Sequence, residues 1–331
     1  MVRLRRVRID SPGWTRRRAG RGFWYLDVDA ARITDPVHLD RITALAIPPA
    51  WRDVWISPWP HGHIQAAGLD DARRRQYLYH EQWRRRRDRL KHDHVLDVAR
   101  RLPAARRSVR RDLAAGGFPR AKALALAFRL LDLAYFRAGG EGYAQRNGSY
   151  GLATLRREHV QVLADPGGAA VAVRFCYPAK SGQVRDVVVE DAQVAELVGT
   201  LLRRRGGGPE LLAWQDAAGW HDITSAEVGA DVKNRLGPDA SPKDFRTWHA
   251  TVLAARGLAA AGPAPASERA RRRVVAQVVK DVSGELGNTP AVCRASYIDP
   301  RVVDLWEHGT TIRPTRSQAV GEKETLALLR A

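Results

Sequence analysis

Apolar positions recur along this chain with two periods, and the change between them divides it. Up to about residue 90 the apolar runs are short and strand-like: Val54-Trp55-Ile56, His63-Ile64-Gln65-Ala66 and Gln76-Tyr77-Leu78-Tyr79-His80, with Gly68 and Asp70 as turn residues. A short helical turn at Arg41-Ile42 leads to Ile47-Pro48-Pro49-Ala50-Trp51. Residues 1 to about 21, with Arg16, Arg17, Arg18 and Arg21, read as a loose, solvated segment. Arg84 to Arg87 and Lys91 form a basic run out of this region.

Beyond it the spacing turns helical. Helices are expected over 93–113, interrupted near Pro103, and over 121–136, which is apolar on most sides and therefore central. Arg137 and Ala138 end the second, with Gly139 and Gly140 as its stop signal. Strands are expected over 153–163, 169–176 and 183–189, with turns at Asp165 to Gly168 and at Lys180-Ser181-Gly182. Further helices are predicted over 190–205, 225–236, 242–256 (stopped by Gly257) and after Ser267, where Val275, Val278, Val279, Val282 and Leu286 make a stripe ended by Gly287. Phe245, Trp248 and Val252 form the buried face of the 242–256 helix, with Lys243 and Arg246 one turn apart on another. The tail after Gly309 is weakly patterned apart from a last helix over 322–330. The fold class is therefore α+β: a small β-rich domain over 1–90, and a larger, mostly α domain over 91–331 holding a small antiparallel sheet.

One further helix stands out. Thr289 reads as an N-cap with Pro290 in the first helical position, and the helix carries Tyr297 on its third turn, with Cys293 and Arg294 on the same face. A tyrosine on a helix is ordinarily a core residue, and only the rest of the chain can give it another meaning.

Composition narrows the partner. The chain has 331 residues, enough for two cores, and a formal charge of +19; all but seven of its 55 basic residues are arginine, spread over the whole length. Such a field suits a polyanion. No apolar run has the length of a spanning helix and no signal peptide opens the sequence, so a cytoplasmic, nucleoid-associated protein is expected. Cys176 and Cys293 form no CxxC or His/Cys cluster, and both read as small buried apolar residues. With no phosphate-binding glycine loop and no acidic metal cluster, no cofactor, ATP or metal is expected.

Several motifs together carry a resemblance. They are Ile47-Pro48-Pro49-Ala50-Trp51, His63 to Ala66, Arg75-Gln76-Tyr77 with Tyr79-His80, Arg137-Ala138-Gly139-Gly140-Glu141-Gly142-Tyr143, Asn147 to Leu152, Lys180-Ser181-Gly182, Lys243 to Trp248, and Asn288-Thr289-Pro290-Ala291 leading to Ser296-Tyr297. In this order, over nearly the whole chain, they resemble the type IB DNA topoisomerases of the small poxvirus-like kind found in bacteria. The resemblance implies a β-rich cap and a mostly α catalytic domain closing as a clamp around duplex DNA. It implies a monomer that relaxes supercoils by transient single-strand cleavage through a 3′-phosphotyrosyl intermediate.

It also implies roles. A tyrosine hydroxyl has a pKa near 10 and is a poor nucleophile unless the phosphate is held in line and its developing charge neutralised. The family pattern makes Tyr297 the nucleophile and gives the neutralising role to Arg137 and Arg246, whose forked donors suit the non-bridging oxygens. Lys180, on a hairpin turn, resembles the general acid that protonates the leaving 5′ oxygen. Asn288 stands where the family often has histidine; it can donate a hydrogen bond but cannot supply charge or a titrating proton. Lys243, Arg75, Gln76, Tyr77 and Tyr79 match DNA contacts, while Arg73 stands where a glycine is expected and Arg75 replaces a lysine. Two rivals remain open on sequence. Tyrosine recombinases share fold and nucleophile but typically carry a histidine at the place of Lys243 and lack the Ile47-to-Trp51 domain; a catalytically silent DNA-binding protein is supported by charge alone.

Overall fold

The structure, a computed structural model, describes residues 3–330 apart from the side chains of Tyr143 and Ser181. It divides into two units, Met1–Lys91 and His92–Ala331.

In the first unit β1 (Trp14–Ala19) and β2 (Gly22–Leu26) form a hairpin, α1 (Pro36–Ala44) follows, and β3 (Arg52–Ile56), β4 (Ile64–Leu69) and β5 (Arg75–Tyr79) complete an antiparallel sheet of order β2-β1-β3-β4-β5. Asp35 starts α1 by accepting the amide of Val37 at 2.9 Å, with Pro36 in the first turn. Ile42 of α1 then packs with Trp14, Ile47, Val54, Ile56 and Ala66, where hiding a side chain such as Ile56 contributes about 1.5–3 kcal/mol.

Two expectations change here. The segment read as loose contains β1, and Arg16 donates to the carbonyls of Ile47 (3.1 Å), Pro48 (3.0 Å) and Trp51 (2.7 Å), tying the Ile-Pro-Pro-Ala-Trp motif to the sheet. Met1 and Val2 of that segment lie outside the described residues. Gly68 is not a turn but lies inside β4, because a Cβ there would come within 2.9 Å of the Trp51 ring. The turn proper is held by Asp70, which accepts the amide of Arg74 at 2.9 Å, and Arg73 takes a left-handed φ of 56°.

The long helix α2 (Glu81–Leu113) opens the helical region, followed by α3 (Arg120–Ala134) and α4 (Glu141–Asn147). Then come β6 (Val160–Ala164), β7 (Ala170–Pro178) and β8 (Val184–Val189), an antiparallel sheet in that order, and α5 (Ala192–Arg203), which packs on β7. A hairpin of β9 (Ala213–Asp216) and β10 (Gly219–Asp222) precedes α6 (Ser225–Leu236), α7 (Pro242–Ala260), α8 (Glu268–Leu286), α9 (Pro290–Ser296), α10 (Arg301–Glu307) and α11 (Gln318–Leu328). α3 and α7 are buried along most of their length and form the centre of this unit.

Packing overrides several local signals. α2 runs through Pro103 unbroken: Pro103 is exposed while Ala99, Leu102, Ala105 and Val109 are buried, and that face outweighs a cost of roughly 3 kcal/mol. α7 continues past Gly257 to Ala260, since the glycine is where Val278 of α8 fits; a Cβ would lie 3.0 Å from its Cγ1. α3 stops at Ala134, not at Arg137, because Tyr135 turns left-handed at φ 58°. Residues 153–159, expected as strand, form short 3-10 turns at Leu152–Thr154 and Arg157–His159. The β9–β10 hairpin was not expected, and α11 starts earlier than the 322–330 helix read from the sequence. Cys293 is buried as expected, but Cys176 faces outward on β7.

Candidate active site

Everything at this site is referred to one helix end. The last carbonyls of an α-helix have no partner inside the helix and carry the negative end of its dipole. At α8 they gather cations. Arg185 of β8 donates to the carbonyls of Gly284 (3.1 Å) and Glu285, Arg246 of α7 to that of Leu286 (2.8 Å), and Arg137 to that of Gly287 (3.1 Å). Gly287 makes this possible by adopting φ +62° and by having no Cβ, which would meet Arg185 Cδ at 3.0 Å.

Each arginine reaches that point for a local reason. Beyond the left-handed Tyr135, the backbone of Arg137 and Ala138 accepts the amides of Leu152 and Ala153, both at 2.8 Å. Gly139 and Gly151 cross so closely that a Cβ on Gly151 would lie 2.5 Å from Gly139 N, so the first glycine of the Arg-Ala-Gly-Gly motif is a close-approach residue. Arg246 was expected on a face apart from the buried stripe of α7. It is instead buried in the second turn of that helix, since α7 is covered on nearly all sides, and it also donates to the carbonyl of Tyr135. Burial, with the like charge of Arg137 added, pulls its guanidinium down to about 10.

Asn288 completes the arginine cluster. Arg137 Nη2 donates to its Oδ1 at 2.6 Å, which fixes which end of the amide is oxygen. Among the described residues its Nδ2 is left buried without a hydrogen-bond partner, as is Arg246 Nε. Among the described residues the hydrogen bonds of Arg137, Arg185 and Arg246 go to backbone carbonyls, to Asn288 and, from Arg246, to the Tyr297 side chain rather than to carboxylates. The cluster therefore keeps its positive charge and holds unspent donors, which is what an anion needs.

Tyr297 faces this charge. Thr289 caps α9 by accepting the amide of Val292 at 3.4 Å, but the helix ends at Ser296, and Tyr297 is the residue after it rather than part of a third turn. Asp299-Pro300 explains the early stop, because the residue before a proline is driven out of the helical region. Arg294 accordingly turns to solvent, whereas Cys293 is buried in the core against which the half-buried Tyr297 packs. The half-buried Tyr297 ring lies 5.1 Å from the Arg246 guanidinium and 5.8 Å from Lys243 Nζ. Its carbonyl accepts from Thr251 Oγ1 at 3.3 Å, and the same hydroxyl accepts the amide of Asp299 at 3.1 Å, so α7 holds the tyrosine from below.

The structure thus brings Tyr297, Arg137, Arg246, Asn288 and Lys243 together. Lys180 stands apart, exposed in the 3-10 turn Lys180–Gly182 between β7 and β8, which the Ala179 amide closes on Gln183 at 2.7 Å. In the first unit, Arg75, Tyr77 and Tyr79 point outward from the edge strand β5, the two tyrosine rings stacked at 5.9 Å. Gln76 faces the other way and donates to Asp70 at 2.9 Å, so it does not join them. Arg185 was not foreseen. Its signal was a charged residue at an inward strand position, two before Val187.

A β-rich unit followed by a mostly helical one, with a tyrosine set over unneutralised arginines, is the plan of an enzyme acting on nucleic-acid phosphates. The comparisons with known proteins make this specific. Residues 80–311 match the family described as eukaryotic DNA topoisomerase I, catalytic core, and residues 22–70 match the bacterial DNA topoisomerase IB N-terminal domain. The chain belongs to the type IB DNA topoisomerase family, and DNA is its substrate. It is 25% identical over 301 residues to DNA topoisomerase 1B of Acanthamoeba polyphaga mimivirus, covering 89% of this chain and 88% of that protein. Among the described residues no helix is long and apolar enough to cross a membrane.

Proposed function

We propose that this topoisomerase cleaves one DNA strand with Tyr297. The phenol oxygen releases its proton to solvent water as it bonds to phosphorus, the bond from phosphorus to the 5′ oxygen breaks, and that oxygen takes a proton from the Lys180 ammonium, which solvent water recharges. A 3′-phosphotyrosyl bond remains, the free strand rotates, and religation reverses each step. Arg137 and Arg246 hold the non-bridging oxygens, and Asn288 Nδ2 donates a further hydrogen bond, so that the charge developing at phosphorus meets fixed donors. Lys243 lies beside the Tyr297 ring, where it can meet a neighbouring phosphate.

The observation that carries this reading is the pair of buried donors, Arg246 Nε and Asn288 Nδ2, without partners among the described residues and next to a tyrosine and a second arginine. An unpaired buried donor costs about 1–3 kcal/mol, and a phosphate removes that cost by accepting from it. Arg75, Tyr77 and Tyr79 add DNA contacts from the first unit, which serves as the cap, and Gln76 supports the turn beside them. The protein acts as a monomer associated with the nucleoid, and the arginines and lysine supply the charge and the proton without ATP or a metal. The test is relaxation of positively and negatively supercoiled plasmid with EDTA present and no ATP. Ladders of relaxed topoisomers are expected from both; a strict need for magnesium or nucleotide contradicts the reading.

A further inference from the structure

Arg185 belongs to none of the roles above, yet it shares its anchor with the residues that carry them. It lies on the inner side of β8, paired across the hairpin with Tyr177, five residues after Lys180. Its guanidinium spans the carbonyls of Gly284 and Glu285, while Arg246 and Arg137 take the next two, Leu286 and Gly287. A guanidinium is costly to place here, since burial pulls Arg185 below its ordinary value and the like charge of Arg137 adds to this, with the carboxylate of Glu285 offsetting it in part. A neutral residue at an inward strand position would avoid that cost.

What the contact accomplishes is a fixed relation between two elements. The hairpin that presents Lys180 is also held by β6, by α5 packed on β7 and α3 against β8, by the amide of Tyr150 donating to the Pro178 carbonyl at 2.9 Å, and by Tyr177 packing on Phe136 at 6.0 Å. Arg185 adds a direct link to α8, and it ties the strand leaving the Lys180 turn to the same helical turn that sets the two phosphate-binding arginines.

We propose that Arg185 is a positioning residue which registers the Lys180 hairpin against the α8 terminus, so that the general acid meets the 5′ oxygen of a phosphate held by Arg137 and Arg246. The proposal rests on the reading of Lys180 as general acid. It predicts a leaving-group signature. Replacing the bridging 5′ oxygen by sulfur turns the departing group into a thiolate, which leaves without a proton because thiols have pKa values near 8.5. A defect in delivering the proton is then masked, whereas a defect in holding the phosphate is not.

The experiment is single-turnover cleavage of paired oxygen and sulfur substrates by wild type, Lys180→Ala, Arg185→Ala and Arg185→Gln, with DNA affinity and thermal melting measured alongside. Arg185→Gln is included because its amide can still reach one carbonyl if the alanine variant fails to fold. Either Arg185 variant is expected to cleave the oxygen substrate about 10- to 100-fold more slowly, and the sulfur substrate within about 3-fold of wild type, at unchanged affinity. Adding Arg185→Ala to Lys180→Ala is expected to slow oxygen cleavage by no more than about 3-fold further, as for residues acting through one step. Equal slowing on both substrates by the Arg185 variants, with Lys180→Ala still rescued by sulfur, overturns the proposal and leaves the Lys180 reading standing. If Lys180→Ala is itself not rescued, both fall together.

Discussion

At Asn288 the side-chain amide has one orientation open to it, because Arg137 Nη2 at 2.6 Å demands an acceptor. That leaves the Nδ2 donor without a partner among the described residues. A neutral imidazole can reproduce both halves of this arrangement, accepting at one ring nitrogen and donating at the other, whereas a carboxylate can only accept. Asn288→His is expected to retain cleavage within about 10-fold of wild type, and Asn288→Asp to lose about 100-fold or more, since it sets a negative charge against the phosphate. Single-turnover cleavage measures both; an aspartate variant as active as the histidine variant contradicts the donor role. Asn288 and its neighbours can be read from sequence because their motifs are short and ordered. Arg185 could not be, since Val187, Val188 and Val189 blur the alternation that would mark its inward position.

Between elements, the least legible part was the tail after Gly309. It has little pattern of its own because α11 is held by a polar network rather than by an apolar stripe. Arg106 of α2 donates to Asp132 of α3 (2.7 and 2.8 Å) and to Glu322 of α11 (2.6 and 2.9 Å). His249 of α7 sits between, 2.9 Å from Asp132, and Gln318 of α11 donates to its other nitrogen at 3.1 Å. Such partners come from four distant segments, so no local spacing announces them. The same holds for Pro103 and Gly257, where tertiary packing overrides the local break.

The network also makes a pH prediction. Burial pushes the Asp132 carboxyl up, but the hydrogen bonds from Arg106 and His249 outweigh it and hold the group well below the usual carboxylate range. A carboxylate with a depressed folded pKa stabilises fully above its unfolded value, near 3.9, and loses that contribution as pH falls below it toward the folded value. Asp132→Asn is therefore expected to cost about 3–5 kcal/mol at neutral pH, because it leaves Arg106 and His249 short of a buried partner. It should also remove part of the stability loss that wild type shows below about pH 4. Urea denaturation at several pH values measures both effects, and a variant that parallels wild type through the acid range contradicts the assignment.

For the whole molecule, charge and architecture point the same way. A formal charge of +19 on a chain of two units fits a protein that acts on a polyanion, and the family match supplies the reaction class. Charge was legible in the sequence because it needs only counting. The end of α8 as the point where Arg137, Arg185 and Arg246 converge was not, because backbone carbonyls rather than carboxylates hold them there, and a sequence does not display which carbonyls a fold leaves unpaired. The central claim is that this cluster serves Tyr297. It is tested most directly by trapping the covalent intermediate on a duplex whose cleaved strand is too short to stay annealed, followed by mass mapping of the DNA-linked peptide. Wild type is predicted to yield a single adduct, joined through a 3′ phosphate to Tyr297, and Tyr297→Phe to bind the same duplex within about 3-fold yet form none, since only the hydroxyl is removed. An adduct formed by Tyr297→Phe, or one mapped to another residue in wild type, contradicts the account.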